Sequence, residues 1–102
     1  MANPNQVWGQ RLKQAREALA MSQKQVGIRA GLDPSVASTR INRYELGVHK
    51  ADYLTSQRLA AVLQVPVAYL YADDDQLASL LLRFSRLDEQ KRAELLAVLD
   101  KL

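Results

Sequence analysis

Residues 22–47, SQKQVGIRAGLDPSVASTRINRYELG, contain the pattern that decides the fold. The first part predicts a helix over Gln23–Ala30, because Val26 and Ala30 lie four apart on one helical face. Gly31 suits the left-handed conformation that ends such a helix. Asp-Pro at residues 33–34 favours the start of a second helix, as an N-cap followed by a first helical residue. Two helices joined by a tight turn predict a helix-turn-helix, whose second helix enters the major groove of DNA.

The second helix, expected over about residues 34–46, presents two different faces. At about 100° per residue, Ala37, Ile41 and Tyr44 fall within roughly 60° of one another and form an inward stripe. The opposite side is polar, can donate hydrogen bonds to base edges or phosphates, and carries no acidic residue. The predicted base-reading residues are Ser35, Ser38, Thr39, Asn42 and Arg43. A solvated face on an ordinary surface helix would show the same pattern, so the flanking sequence has to distinguish the two interpretations.

Composition and length limit the alternatives. A chain of 102 residues makes one small domain, or one domain with an appendage. The absence of cysteine excludes disulfides and thiolate metal sites, and a single histidine does not support another metal site. The sequence has no glycine-rich phosphate loop and no nucleophile beside a base placed by a motif. We therefore expect no enzymatic activity, no cofactor and no metal. We also expect no small-molecule ligand, because the 30 residues at 73–102 are too few for a separate ligand-binding domain.

The distribution of charge and hydropathy indicates a cytoplasmic protein that meets a polyanion. Residues 1–58 hold nine Lys/Arg against four Asp/Glu, whereas residues 59–102 hold five against seven. A basic first half suits nucleic acid. No apolar run approaches the roughly 20 residues that span a bilayer, and the start of the chain lacks the pattern of a signal peptide. We expect no membrane partner.

The remaining periodicity predicts an all-α fold in two parts. Residues 1–6 look like a flexible arm, since asparagine and proline are poor helix formers. The acidic run at residues 73–75 suits the N-terminus of a following helix better than a metal site. We expect a helix-turn-helix domain over residues 1–72 and a helical dimerisation segment over residues 73–102. The further helices are expected at about 7–19, 54–63, 66–70, 76–85 and 89–102.

The sequence resembles the Cro and lambda-repressor-like family of helix-turn-helix regulators, also called the xenobiotic-response-element family. The resemblance extends over about residues 7–72 and is carried by RLKQAREALAMSQKQVGIRAGL, INRYELG and RLAAVLQVPVAYLY. It implies a five-helix DNA-binding domain, here followed by two further C-terminal helices. It also implies a bacterial or phage protein that binds double-stranded operator DNA as a dimer, commonly as a repressor.

The sequence departs from the family pattern in three places. The helix-turn-helix unit is about four residues longer, which is about one helical turn. This leaves open whether Pro34-Ser35 or, one turn later, Ser38-Thr39 forms the base-reading tip. Gly27 stands where the family usually has alanine and should loosen helix 2 by about 1 kcal/mol. Gln64 stands where a helix-ending glycine is common, so helix 4 should end with a less favourable cap.

The resemblance also implies roles for residues outside the reading face. Arg16 and Glu45 match a helix-1 arginine and a glutamate near the end of the unit that often pair in the family. His49 and Lys50 lie in a loop that often touches the DNA backbone, although an exposed histidine without a role would look the same. The predicted backbone contacts are Ser22, Gln23, Arg40, His49 and Lys50.

The C-terminal segment carries more leucine than one small core face needs, which is typical of an interface. We expect a two-fold homodimer formed mainly through residues 76–102. The predicted interface residues are Leu77, Leu80, Leu81, Phe84, Leu95, Leu99 and Leu102. Alternatively, these leucines pack back on the five-helix domain. In a different hypothesis for function, the chain is a protein–protein module, such as an antitoxin or adaptor, that acts through the leucine-rich helices.

Overall fold

A computed structural model of the chain describes residues 3–102, and within them it contains helices and turns but no strand. The first two residues of the expected arm lie outside the described residues. No helix in the described part is long and apolar enough to cross a bilayer. The helices are α1 (Pro4–Ala18), α2 (Gln23–Arg29), α3 (Ala37–Glu45), α4 (Tyr53–Leu63), α5 (Val67–Tyr71), α6 (Asp75–Ser85) and α7 (Glu89–Leu99). The all-α prediction is confirmed, although several helices begin or end at other residues than predicted.

Helix α1 begins earlier than predicted. Asn3 is its N-cap: its side-chain oxygen accepts a hydrogen bond from the Asn5 backbone N–H at 2.8 Å, and its own N–H donates to the Gln6 side chain at 3.3 Å. Pro4 occupies the first helical position, where its fixed φ and missing N–H are no disadvantage. The prediction of a flexible arm is therefore wrong for residues 3–6, because residue types that weaken a helix interior favour a helix start.

Helix α3 begins later than predicted, at Ala37 rather than Pro34. The Asp33 carboxylate accepts hydrogen bonds from the Ser35 backbone N–H at 2.8 Å and from the Ser35 hydroxyl at 2.6 Å. The hydroxyl bond first, and then the backbone bond, lower the pKa of Asp33 below its ordinary value. Asp33 thus holds residues 33–36 in a turn instead of capping a helix. The additional residues of this segment form that turn and do not lengthen the helix.

The first five helices close around one core. The inward stripe predicted for α3 is confirmed, since Ala37, Ile41 and Tyr44 are all buried. Trp8 of α1 packs edge-on against Tyr44, with the ring centroids 5.7 Å apart, an arrangement that aromatic pairs favour. The most deeply buried apolar side chains are Leu12, Val26, Ile41, Leu59, Leu63 and Leu70. This core therefore draws on every helix from α1 to α5.

Helix α4 ends on a residue other than glycine. Gln64 follows its last residue, Leu63, with φ 60° and ψ 40°, which is the left-handed conformation that glycine enters without strain. The predicted unfavourable cap is therefore confirmed. At the other end of α4, Asp52 is the N-cap and accepts a hydrogen bond from the Thr55 backbone N–H at 2.8 Å. Hydrogen bonding from the Thr55 side chain first, and then from its backbone N–H, lowers the pKa of Asp52.

The acidic run after α5 caps the next helix, as predicted. Asp74 accepts a hydrogen bond from the Leu77 backbone N–H at 2.9 Å. Asp75 turns back towards α1, where its carboxylate lies 3.0 Å from Arg11 Nη2. Arg11 is buried, and its Nε donates to the Ala72 carbonyl at 2.8 Å. Arg11 thus joins α6 to the five-helix part of the molecule.

Helix α6 divides its apolar side chains between two directions. Ala78 is its buried residue, and Leu81 and Leu82 pack partly against the core. Leu77 and Leu80 are exposed. Of the interface residues predicted on this helix, Leu77 and Leu80 are therefore exposed, whereas Leu81 belongs more to the core.

Helix α7 buries little surface within the chain. It ends at Leu99, short of the predicted Leu102, and none of its residues is buried. Arg92 attaches it to α6: its guanidinium lies 5.0 Å from the centre of the Phe84 ring and donates to the backbone carbonyls of Phe84 and Ser85. The apolar side chains of α7 and the following turn are exposed at Leu96, Val98, Leu99 and Leu102, and half-buried at Leu95.

Candidate nucleic-acid interface

The outward side of α3 is polar and carries no acidic side chain. Its exposed residues are Ser38, Thr39, Arg40, Asn42 and Arg43. Within residues 3–102, neither Arg40 nor Arg43 makes an ion pair. Two arginines without a carboxylate partner are available for a polyanion, and a guanidinium suits both phosphate and guanine geometrically.

Ser35 lies apart from this side, in the turn before α3. Its hydroxyl donates to Asp33 at 2.6 Å, so the hydrogen that would contact a base or a phosphate is already engaged. Ser38 and Thr39 stand in the first turn of the helix. The helix thus starts in the later of the two registers that the sequence left open.

Helices α2 and α3 approach closely where Gly27 faces Ala37. A Cβ added at residue 27 would lie 2.8 Å from the Ala37 Cβ and 3.1 Å from the Ala37 Cα, closer than nonbonded carbon atoms pack. The absence of a side chain at Gly27 therefore sets the distance between the two helices. Gly27 is expected to lower the helix propensity of α2, and it also allows α3 to pack closer to α2.

An ion pair between α1 and α3 fixes the other end of α3. Arg16 donates through Nε and Nη2 to the two carboxylate oxygens of Glu45, at 2.6 and 3.1 Å, a two-pronged geometry. The Glu45 side chain is 4% exposed. The hydrogen bond to Glu45 raises the pKa of Arg16 above its ordinary value. The two residues that the family resemblance implies as a pair are thus in contact, and the only acidic residue of α3 is neutralised.

Gln23 connects this ion pair to the outward side of α3. Its side-chain amide N–H groups donate to Glu45 Oε1 and to Asn42 Oδ1, both at 3.1 Å. Because a carboxylate only accepts hydrogen bonds, the contact with Glu45 sets which end of the Gln23 amide is the donor. Asn42 must then turn its oxygen towards Gln23, and its own N–H₂ group remains free to donate. No pattern in the sequence indicates this connection, because the residues lie on different helices.

The other expected backbone contacts lie at the edges of the unit. The Ser22 hydroxyl accepts a hydrogen bond from the Gln25 backbone N–H at 3.0 Å as the N-cap of α2, and it keeps its own hydrogen for another acceptor. His49 and Lys50 are exposed in the loop between α3 and α4. In the described part of the chain, these two residues line a cavity with Trp8 and the start of α1.

Known helix-turn-helix proteins share this architecture. The sequence model of the HTH_3 family, described as helix-turn-helix, matches residues 12–70, more than half of the chain. The crystal structure of the transcriptional regulator BswR is similar, with a TM-score of 0.88 and 46% sequence identity over 92% of this chain and 93% of that chain. Among curated proteins there is no match.

Proposed function

This chain belongs to the helix-turn-helix family and is a DNA-binding transcription regulator rather than an enzyme, and we propose that it acts as a homodimeric repressor. Each α3 enters the major groove at one half of a palindromic operator. The observation that carries the proposal is the exposed, acid-free side of α3, which the buried Arg16–Glu45 pair holds in place. A regulator of this kind represses by occupying its operator, and it works in the cytoplasm.

Base reading is assigned to four side chains of α3. Arg43 is long enough for a two-pronged contact with guanine, and Thr39 offers a methyl group to thymine as well as a hydroxyl. Ser38 reads near the N-terminal tip. Asn42 acts mainly as a donor, because its oxygen accepts from Gln23. Its free N–H₂ group favours an acceptor such as guanine O6 or thymine O4 over the two-pronged contact with adenine that the side chain alone would allow.

Phosphate contacts are assigned to residues that lie next to the four base-reading side chains. Ser22 retains a hydroxyl hydrogen, and Arg40, His49 and Lys50 are exposed side chains that can donate to phosphate. Gln23 has both side-chain N–H groups engaged within the protein. Its contribution to backbone binding is therefore its main-chain N–H, while its side chain positions Asn42.

The dimer is assigned to the exposed apolar side chains of α6 and α7. Leu77, Leu80 and Leu99 are 45%, 42% and 44% exposed, and an uncovered apolar patch of this kind is typical of an interface. Val98 is added to the residues predicted from the sequence, because it is also exposed on α7. In a two-fold dimer the two copies of α3 lie about 34 Å apart, one turn of DNA.

A salt-dependent DNA titration tests the DNA-binding part of this proposal. The operator is first obtained by selecting bound sequences from a random duplex pool. Affinity for the selected duplex and for random duplex DNA is then measured at several salt concentrations. Affinity that falls steeply with salt, with a clear preference for the selected duplex, is expected. Failure to select any sequence would instead favour the protein–protein module.

Alanine variants of Arg43 and Lys50 separate base reading from phosphate contact. Arg43→Ala should cost about 1–3 kcal/mol on the operator and little on random DNA. Lys50→Ala should weaken both alike and make the salt dependence shallower. Arg29→Ala, which changes an exposed residue at the C-terminal end of α2, is the matched control for charge. A uniform loss on both duplexes would remove Arg43 from the reading set.

A further inference from the structure

The link between α5 and α6 is short and is held by a side chain of α1. Helix α5 ends at Tyr71 and α6 begins at Asp75, so residues 72–74 alone separate the DNA-binding part from the first helix of the proposed dimer interface. Arg11 Nε donates to the Ala72 carbonyl at 2.8 Å, and Arg11 Nη2 donates to Asp75 Oδ1 at 3.0 Å. Arg11 therefore contacts both the start of the link and the start of α6.

The guanidinium of Arg11 is itself held in place by neighbours on α1 and α5. Its Nη1 donates to Gln14 Oε1 at 3.1 Å, and the same oxygen accepts a hydrogen bond from the Tyr69 hydroxyl at 3.2 Å. The guanidinium carbon lies 5.8 Å from the centre of the Tyr69 ring. Because a guanidinium is planar and its N–H groups point in fixed directions, these contacts together determine where Arg11 holds the link and α6.

The apolar contacts of α6 constrain its direction less than these hydrogen bonds do. Ala78 is buried, and Leu81 and Leu82 are half-buried against the core. Burial of apolar surface is non-directional, and the single methyl group of Ala78 allows a small rotation of the helix. The apolar contacts therefore keep α6 against the core, whereas the Arg11 hydrogen bonds determine the direction in which α6 leaves the DNA-binding part.

The direction of α6 matters for a dimer on DNA. In the proposed dimer the two copies meet through α6 and α7, so a rotation of α6 relative to α3 changes the distance between the two copies of α3. Each base pair added between the half-sites moves the second half-site by about 3.4 Å and turns it by about 35° around the DNA axis. A rigid connection between α3 and α6 therefore fits one spacing, whereas a loose connection fits several.

We propose that Arg11 is a positioning residue that determines which spacing of operator half-sites the regulator accepts. In this role Arg11 does not touch DNA and acts through α6. The inference rests on the proposed homodimer. A purely structural role, in which Arg11 only pairs the carbonyl at the end of α5, would affect stability and would leave the preference for one spacing unchanged.

Operator duplexes with altered spacing test this role. The selected operator is compared with duplexes that have one or two base pairs more or fewer between the half-sites. For the parent chain we expect about a tenfold loss of affinity for a change of one base pair, because the second half-site is no longer in reach. Arg11→Met keeps the apolar stem of the side chain and removes its donors, and it should reduce this loss to about threefold or less.

Two matched controls and a second variant complete the experiment. Lys13→Met makes the same substitution at an exposed residue of α1 and should keep the preference of the parent chain. Asp75→Ala removes one of the Arg11 contacts at a side chain that is 94% exposed, so it does not endanger the fold. It should weaken the preference less than Arg11→Met does, and its control is Asp73→Ala, an exposed neighbour. Circular dichroism and sedimentation establish that each variant is folded and dimeric.

Three results would overturn the proposal. The first is a spacing preference equal to that of the parent chain, either in a folded and dimeric Arg11→Met variant or in Asp75→Ala. The second is an equal weakening of the preference by Lys13→Met. The third is a parent chain that binds all spacings alike, in which case the homodimeric repressor stands without this role for Arg11. A parent chain that is a monomer or selects no operator would instead refute the homodimeric repressor itself, and this inference with it.

Discussion

The five helices α1–α5 and the two helices α6–α7 differ in how much of their apolar surface this chain buries. Leu12, Ile41 and Leu59 of the first group have no exposed surface, whereas α7 contains no buried residue. The molecule is correspondingly elongated, with a radius of gyration of 14.9 Å against about 13 Å for a compact domain of this length. Helices α1–α5 form a core among themselves. The stability of α6 and α7 depends on their attachment to that core and on a partner surface that covers their exposed leucines.

The two arginines of α1, which both form ion pairs, repeat this difference. Arg16 lies within the five-helix part, and its partner Glu45 is 4% exposed. Arg11 connects this part to α6, and its partner Asp75 is 94% exposed. Removal of Arg16 would leave a buried carboxylate without its cation, whereas removal of Arg11 would leave a carboxylate in water. The same residue type on the same helix therefore has two different energetic roles.

The largest expected effect comes from ending the chain after Asp75. The five-helix part should stay folded, because the core side chains of α1–α5 and the Arg11 contacts remain, although Ala78, Leu81 and Leu82 no longer pack against them. The truncated chain should be a monomer and bind the operator at least about 100-fold more weakly, because the two half-sites are no longer linked. Analytical ultracentrifugation and operator titration measure the two effects. A truncated chain that still sediments as a dimer would place the interface elsewhere in the protein.

The second comparison sets Arg16→Ala against Arg11→Ala. Arg16→Ala should lower the free energy of unfolding by about 3 kcal/mol, since it strands the buried Glu45 carboxylate. Arg11→Ala should cost less, because Asp75 is already in contact with water and its carboxylate stays solvated without a partner. Urea unfolding of the two variants and the parent chain measures the difference. Equal losses of stability would contradict the distinction between the two pairs.

A third variant tests the close approach of α2 and α3. Gly27→Ala adds a Cβ at 2.8 Å from the Ala37 Cβ. We expect a loss of about 1–2 kcal/mol, because overpacking outweighs the gain of about 1 kcal/mol in helix propensity. Ala37→Gly in the same chain removes the opposing Cβ and should recover part of the loss. If Gly27→Ala stabilised the chain, propensity would dominate at this position and the packing argument would fail.

The smallest expected effect on stability concerns α7. Leu99→Ser changes an exposed side chain and should alter the free energy of unfolding of the monomer by no more than about 0.5 kcal/mol. Its effect should appear in the dimer dissociation constant, measured by sedimentation over a range of concentrations. Ala97→Ser, also exposed on α7, is the matched control and should change the dimer less. A large loss of monomer stability with Leu99→Ser would show that the leucines pack back on the five-helix part.

Local signals in the sequence were sufficient for the existence of the helices and for some of their caps. The acidic run at residues 73–75 was predicted to cap the following helix, and Asp74 does so through a side-chain oxygen. Short-range capping of this kind depends on neighbouring residues that the sequence displays. The apolar spacing of Ala37, Ile41 and Tyr44 determined the inward side of α3, and with it the polar outward side. Asp33 showed the limit of such signals, because an aspartate can either cap a helix or stabilise a turn. In both conformations its carboxylate accepts hydrogen bonds from nearby residues, so the local sequence does not distinguish them.

Only the tertiary structure decided how those helices meet. The bond from Gln23 to Asn42, the burial of Arg11 and the contact of Gly27 with Ala37 each join residues from different elements. The spacing of residues in the sequence does not determine the distance between residues on different helices, since that distance depends on how whole helices pack. The same holds for the indole N–H of Trp8, which has no hydrogen-bond partner in the described part of the chain. Trp8 is buried, and whether a buried donor meets an acceptor depends on atoms that the rest of the chain brings to it.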